Sequence, residues 1–192
     1  MVYDSAATRS RLIDAAYAEF SERGFAGARV DRIAAEAGAN KQAIYLYFDS
    51  KEGLFDAMLG SRLGALADLV PFTPDDLPGY IAALFDHLVE HPELVRLTQW
   101  KFLERPAAAW QEYQSQTDKV RELAESVGVT ETRGMDILML CLAMAQAWTT
   151  TGGSIRDSDG PGQERLKQHR EALLIAVTAA ADALAKHPGR ST

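Results

Sequence analysis

The chain has 192 residues, 47% of them hydrophobic and 24% charged, which is enough apolar material for one sizeable core or for a small domain plus a larger one. It has no uninterrupted apolar run of about 18 residues, and Met1-Val2-Tyr3-Asp4 lacks the basic-then-apolar layout of a secretory signal, so a membrane-spanning helix is not expected and a soluble, cytoplasmic protein is. The net charge of −7 weighs against indiscriminate binding to polyanions, but residues 1–53 carry seven Lys/Arg against eight Asp/Glu while residues 54–192 carry thirteen against nineteen, which leaves the first quarter free to present a positive face.

Apolar residues recur at helical spacing nearly throughout, and no segment alternates with period two, so the chain reads as all-α. A first helix is expected over Thr8–Arg23, carrying Leu12, Ile13, Ala16, Tyr17 and Phe20 on one face and stopped by Gly24 before Phe25. Short helices come next over Val30–Ala37 and, capped by Asn40, to about Phe48; Gly38 and Ala39 form the step between them. Asp49-Ser50 opens a fourth helix to about residue 69 with Leu54, Phe55, Met58, Leu59, Leu63 and Leu66. Pro71-Phe72-Thr73-Pro74-Asp75-Asp76 breaks the pattern, and Asp suits the cap of the fifth helix. Further helices are expected at 76–90, 92–104, 107–126, 131–151 and 163–186, with the Gly- and Ser-rich stretch 152–162 as a loop before the last. The domains expected are therefore 1–53 and 54–192, bridged by the helix at about 50–69.

Two short helices joined by two residues and preceded by a longer one have the spacing of a helix-turn-helix. At about 100° per residue, Ile44 and Phe48 fall on one side of the second short helix, and Lys41, Gln42, Tyr45 and Leu46 spread over another arc. The outward set suits base edges: Lys41 can donate to guanine, Gln42 can pair with adenine in two bonds, and Leu46 can touch a thymine methyl. Tyr47 on the flank and Lys51 in the next helix's first turn are placed for phosphates. A purely structural reading, with Tyr45, Tyr47 and Phe48 as ordinary core aromatics, is weighed against this one.

The run Val30-Asp31-Arg32-Ile33-Ala34-Ala35-Glu36-Ala37-Gly38-Ala39, then Asn40-Lys41-Gln42-Ala43-Ile44-Tyr45-Leu46-Tyr47-Phe48, then Ser50-Lys51-Glu52-Gly53-Leu54-Phe55, resembles the TetR family of one-component regulators. The likeness extends without a gap over about residues 8–59. It implies base contacts at positions 41, 42, 45 and 46 and phosphate contacts at 29, 47 and 51, with Asn40 beside them. Three departures stand out: Leu46 replaces the commoner His, Ala43 a frequent Thr, and Arg29 the Thr that usually caps the second helix, so that cap is expected to be lost and Arg29 to meet a phosphate directly.

Beyond residue 70, Phe85, Trp100, Phe102, Trp110, Tyr113, Met135, Met139, Met144 and Trp148 form an aromatic and methionine-rich set that reads first as core. The resemblance implies a small-molecule inducer among the middle helices, and the composition favours an apolar or aromatic one, with Phe85, Trp100, Phe102, Trp110, Tyr113, Met139, Met144 and Trp148 as the candidate lining. The last two helices are rich in Ala, Leu and Met; the resemblance implies that they pair with their twofold mates in a homodimer.

No cofactor or metal is expected: His87 and His91 lie i, i+4 but are two ligands where a structural zinc needs four, and Cys141, the single cysteine, sits in the apolar run Met139-Leu140-Cys141-Leu142. No nucleophile and base share a recognisable spacing, so an all-helical enzyme and a protein-interaction module rank below a ligand-released repressor of operator DNA.

Overall fold

The computed structural model describes residues 5–104, 110–156 and 162–186, and the side chains among them except those of residues 104 and 110–114. The helices, in order, are α1 (Ser5–Gly27), α2 (Val30–Glu36), α3 (Lys41–Phe48), α4 (Lys51–Leu69), α5 (Leu77–Glu90), α6 (Pro92–Glu104), α7 (Trp110–Val127), α8 (Glu131–Thr150), α9 (Gly153–Arg156) and α10 (Gln163–Lys186). The fold is all-α, and no strand occurs among the described residues. No described helix is long and apolar enough to cross a membrane. The chain parts into two compact units: Met1–Leu69 with Arg96–Glu104, and Val70–Val95 with Arg105–Thr192.

In the first unit, Leu12, Ile13, Ala16 and Phe20 of α1 meet Ile33 and Ala34 of α2, Ile44 and Phe48 of α3, and Leu54, Phe55, Met58 and Leu59 of α4. The first half of α4, the helix expected to bridge the two domains, takes part in this core. Helices as short as α2 and α3 cannot cover the apolar face of the long α1 by themselves, and the first half of α4 supplies the missing wall. The second half of α4 is less buried, with Leu63 and Leu66 half-covered and Leu69 exposed.

The far end of α6 completes the same core. Leu97 is buried in it, and the Trp100 ring stacks on Phe25 with centroids 4.2 Å apart and meets Phe55 edge-on at 5.0 Å. Phe20 lies edge-on to Phe55 at 5.0 Å, closing a four-ring cluster of the kind that adds geometric preference to burial. Arg96 donates to the Ser21 carbonyl at 3.2 Å, and the buried Lys101 has its Nζ 4.0 Å from Asp56 Oδ1.

In the second unit α5 packs against α8 and α10, α7 against α8, and α8 against α10. Asp76 caps α5 by accepting from the Gly79 N–H at 3.0 Å, as its position after the two prolines predicts. Ile81 and Phe85 of α5, Leu123 of α7, Ile137, Leu138 and Cys141 of α8, and Leu173 and Val177 of α10 are buried. Desolvation pushes the Cys141 thiol up to about 11, in keeping with the inert thiol expected from its apolar run. Arg170 of α10 grips Asp86 of α5 in two parallel bonds, Nε to Oδ1 at 2.7 Å and Nη2 to Oδ2 at 2.8 Å. Residues 153–156, expected in a loop, form the one-turn α9: the Gly152 carbonyl accepts from the Ile155 and Arg156 N–H groups, and the Arg156 guanidinium lies 5.1 Å from the centre of the Trp148 ring.

Candidate nucleic-acid interface

Gly24 ends the regular part of α1 in the left-handed region at φ 65°, and Gly38 turns α2 into α3 at φ 60°, a conformation that a side chain resists and glycine does not. Asn40 then caps α3, its Oδ1 accepting the Ala43 N–H at 2.9 Å. That bond occupies the side chain the sequence had grouped with the DNA contacts and gives it a structural task. With the helix so started, Ile44 and Phe48 are buried, while Lys41, Gln42, Tyr45 and Leu46 are exposed, Leu46 to 78%. The division into a packed and an outward face is the one the 3.6-residue period predicts.

Leu46 adds an apolar group to a face otherwise made of Lys41, Gln42 and Tyr45; a single exposed leucine is ordinary on a protein surface, and it is the mixture on one face of α3 that matters. Thr8, Asn40, Gln42, Leu46 and Tyr47 line a surface depression there. Tyr47 is half-buried, with its ring 6.2 Å from that of Phe48. The Arg9 guanidinium lies 5.2 Å from the centre of the Phe48 ring and adds an exposed cation near the start of α1 that the sequence reading passed over.

Arg29 occupies the N-cap position of α2 and makes no side-chain cap, as the loss of threonine implied. Glu19 of α1 takes over. One of its oxygens accepts the Arg29 backbone N–H at 2.9 Å and the Arg32 Nε at 2.8 Å, and the bond from Arg32 holds the carboxyl below the usual glutamate range, with the Arg29 N–H adding to the effect against the opposing pull of burial. The Arg29 side chain is thereby left exposed. A long-range latch was equally invisible in the sequence: Arg11 Nε donates to the Ala37 carbonyl at 3.1 Å and its Nη2 to the Thr8 hydroxyl at 3.2 Å, tying α1 to the end of α2.

Two cations make contacts that the sequence does not reveal. Lys51, expected at a phosphate, donates through Nζ to the Ala28 carbonyl at 2.6 Å and lies 4.6 Å above the Phe25 ring, so it fastens α4 to the turn before α2. Lys41 has its Nζ 3.0 Å from Asp31 Oδ1, and this bond is the first cause that moves its ammonium above the ordinary lysine value.

Of the eight residues expected to line one pocket, six have described side chains. Trp100 belongs to the aromatic cluster of the first unit, where its ring meets those of Phe25 and Phe55, and Phe102 is 58% exposed. Met139 is 59% exposed on α8. Phe85 and the half-buried Trp148 both approach His169, at 5.7 and 5.0 Å between ring centroids, and Met144 lies half-buried one turn before Trp148. The side chains of Trp110 and Tyr113 lie outside the described residues. Elsewhere in the second unit, the His87 and His91 rings are 4.5 Å apart with Glu93 3.3 Å from His91 Nδ1, and among the described residues no three His, Cys, Asp or Glu side chains are grouped to hold a metal.

Comparison with known proteins agrees with this geometry. Residues 12–58 match the bacterial regulatory proteins of the tetR family, and residues 76–180 match a tetracyclin repressor-like C-terminal domain. The HTH-type transcriptional repressor SCO4008 of Streptomyces coelicolor is 42% identical over 150 residues, spanning 74% of this chain and 78% of its own. The HTH-type transcriptional repressor NicS of Pseudomonas putida is 35% identical over 97 residues, 47% of this chain and 46% of its own. Among solved structures, the regulator SCO4942 of Streptomyces coelicolor superposes with a TM-score of 0.70 at 33% identity, over 90% of this chain and 97% of the other. SCO7222, a TetR from the same organism, shares the fold with a TM-score of 0.64 at 18% identity, over 94% and 99%. With both halves of its sequence matched, this chain is a member of the TetR family of DNA-binding transcriptional regulators, and not an enzyme.

Proposed function

We propose that the protein is a cytoplasmic repressor that binds operator DNA as a homodimer and is released by a small apolar or aromatic molecule. The observation that carries the DNA-reading part is the outward face of α3, where Lys41, Gln42, Tyr45 and Leu46 are exposed above a buried Ile44 and Phe48. Lys41 and Gln42 are assigned to base edges as donors, Leu46 to a thymine methyl and Tyr45 to the neighbouring base. Arg29 and Tyr47 are assigned to phosphates, which fix register without reading sequence. Lys51 serves this surface indirectly, by holding the start of α4 against the Ala28 carbonyl. The family and the named repressors similar to this chain support repression over activation.

Dimerisation is assigned to α8 and α10. Both leave apolar side chains in water, Met135, Met139 and Leu140 on α8 and Ile175 on α10, and two operator half-sites need two recognition helices. The inducer is assigned to the second unit, near Phe85, Met144 and Trp148, where aromatic surface converges on His169. Ligand then weakens DNA binding only to the extent that it favours the arrangement of the dimer that fits the operator less well.

The test is selection of duplexes from random sequence, followed by fluorescence anisotropy of the selected duplex with the natural chain and with Lys41→Ala/Gln42→Ala. Loss of two base-reading side chains predicts a fall in affinity of about 100-fold or more, at about 1–3 kcal/mol for each pairing. Equal binding by both proteins would remove α3 from the reading surface.

A further inference from the structure

Asp31 stands in the first turn of α2 and Lys41 in the first turn of α3, and their side chains meet at 3.0 Å. Both are solvent-exposed, Lys41 to 46% and Asp31 to 55%, so the pair is screened and adds little to the fold. A carboxylate beside a base-reading lysine also repels phosphate, which is costly on a surface whose affinity comes from cations. The arrangement calls for an account other than stability or raw affinity.

The chemistry of the ammonium supplies one. A lysine is a point charge on a flexible stem, able to pair with any phosphate in reach, and it carries three N–H donors. Asp31 occupies one of them and restrains the stem, while two donors remain, as many as guanine O6 and N7 accept. We propose that Asp31 is a specificity-determining residue: it keeps Lys41 available to a base edge and withholds it from phosphates, so that arbitrary DNA gains less from Lys41 than a chosen sequence does. The inference rests on the DNA-reading role proposed for α3. It assigns Asp31 no contact with DNA, only a hold on the residue that makes one.

The experiment uses the full chain, a duplex selected from random sequence with the natural protein, and a shuffled duplex of equal length, each titrated at several salt concentrations. Asp31→Asn keeps the shape and removes the charge; Asp31→Ser is the second variant, and thermal unfolding checks that both are folded. Asp31→Asn is expected to tighten binding to the shuffled duplex by roughly two- to fivefold at low salt and to steepen its salt dependence by about 0.9 in log–log slope, the equivalent of one more phosphate. On the selected duplex the change is expected to stay below about twofold, so the ratio of the two affinities falls. In a Lys41→Ala background the effect on the shuffled duplex should shrink, because only the bare repulsion of Asp31 is then removed.

Equal tightening on both duplexes, or an undiminished effect without Lys41, would overturn the assignment and leave Asp31 a simple negative charge. A selection that returns no preferred duplex would instead sink the DNA-reading role of α3, and the proposal with it.

Discussion

The α2–α3 pair of the first unit and the α8–α10 pair of the second are both packed helices with a buried apolar face, yet they differ in what they leave outside. In the first unit the large apolar side chains of α2 and α3 are used up in a shared core, and Tyr45 and Leu46 are the large hydrophobics of those two helices that remain exposed. On α8 and α10, Met135, Met139, Leu140 and Ile175 stay in water although Ile137, Leu138, Cys141, Leu173 and Val177 are already buried. On α3, a small outer face of mixed polar and apolar side chains suits a partner that is itself polar, such as DNA. Helices that are apolar on two sides suit a partner that is apolar, such as a second copy.

That contrast is open to attack at four places. The largest effect belongs to Phe20→Ala, which empties the centre of the first core and removes the edge contact to Phe55; a loss of about 3–5 kcal/mol is expected by urea unfolding, and a loss under about 1 kcal/mol would mean that the core is not closed. Met139→Glu with Ile175→Glu should leave helicity by circular dichroism unchanged and weaken self-association by about 30-fold or more in sedimentation equilibrium; an unchanged dimer would move the interface elsewhere.

Smaller effects sharpen the picture of the reading surface. Gly38→Ala puts a β-carbon on a left-handed residue and should cost about 1–2 kcal/mol in urea unfolding, with a matching loss of DNA binding if the turn positions α3; no change would show that the turn relaxes. Glu19→Gln should lower the thermal midpoint at neutral pH by about 2–4 °C. Because the carboxyl of Glu19 ionises below its ordinary value when folded, its stabilisation is complete above the unfolded value of about 4.3 and is lost as pH falls through the folded one. The difference between natural chain and variant should therefore close in acid, and a difference constant with pH would argue that Glu19 acts by shape alone.

Much of the first unit is legible in the order of residues. The stop at Gly24, the cap at Asn40, and the burial of Ile44 and Phe48 beneath an exposed Gln42 and Leu46 are local or periodic features, and periodicity reports which way a side chain faces. It does not report what lies opposite. For that reason nothing around Lys51, expected at a phosphate, indicates that its ammonium also donates to Ala28, 23 residues earlier, and nothing local pairs Lys41 with Asp31. Trp100 reads as pocket lining for the same reason: nothing in residues 92–104 indicates that its ring completes a stack begun by Phe25. In the second unit the longer helices are legible, but α9 is not, since its single turn sits in a Gly- and Ser-rich stretch that reads as a loop.

The place of α6 in the first core bears on how the protein is made. A chain emerging from the ribosome has α1–α4 complete by residue 69, but the Phe25 and Phe55 rings lack Trp100, and the core lacks Leu97, until some thirty more residues have been synthesised. The DNA-reading unit is thus not a detachable N-terminal bead. Swapping residues 1–69 alone between relatives would graft one half of a ring cluster onto a foreign other half, and a fusion that keeps α6 with its native α1 and α4 is the exchange that preserves it.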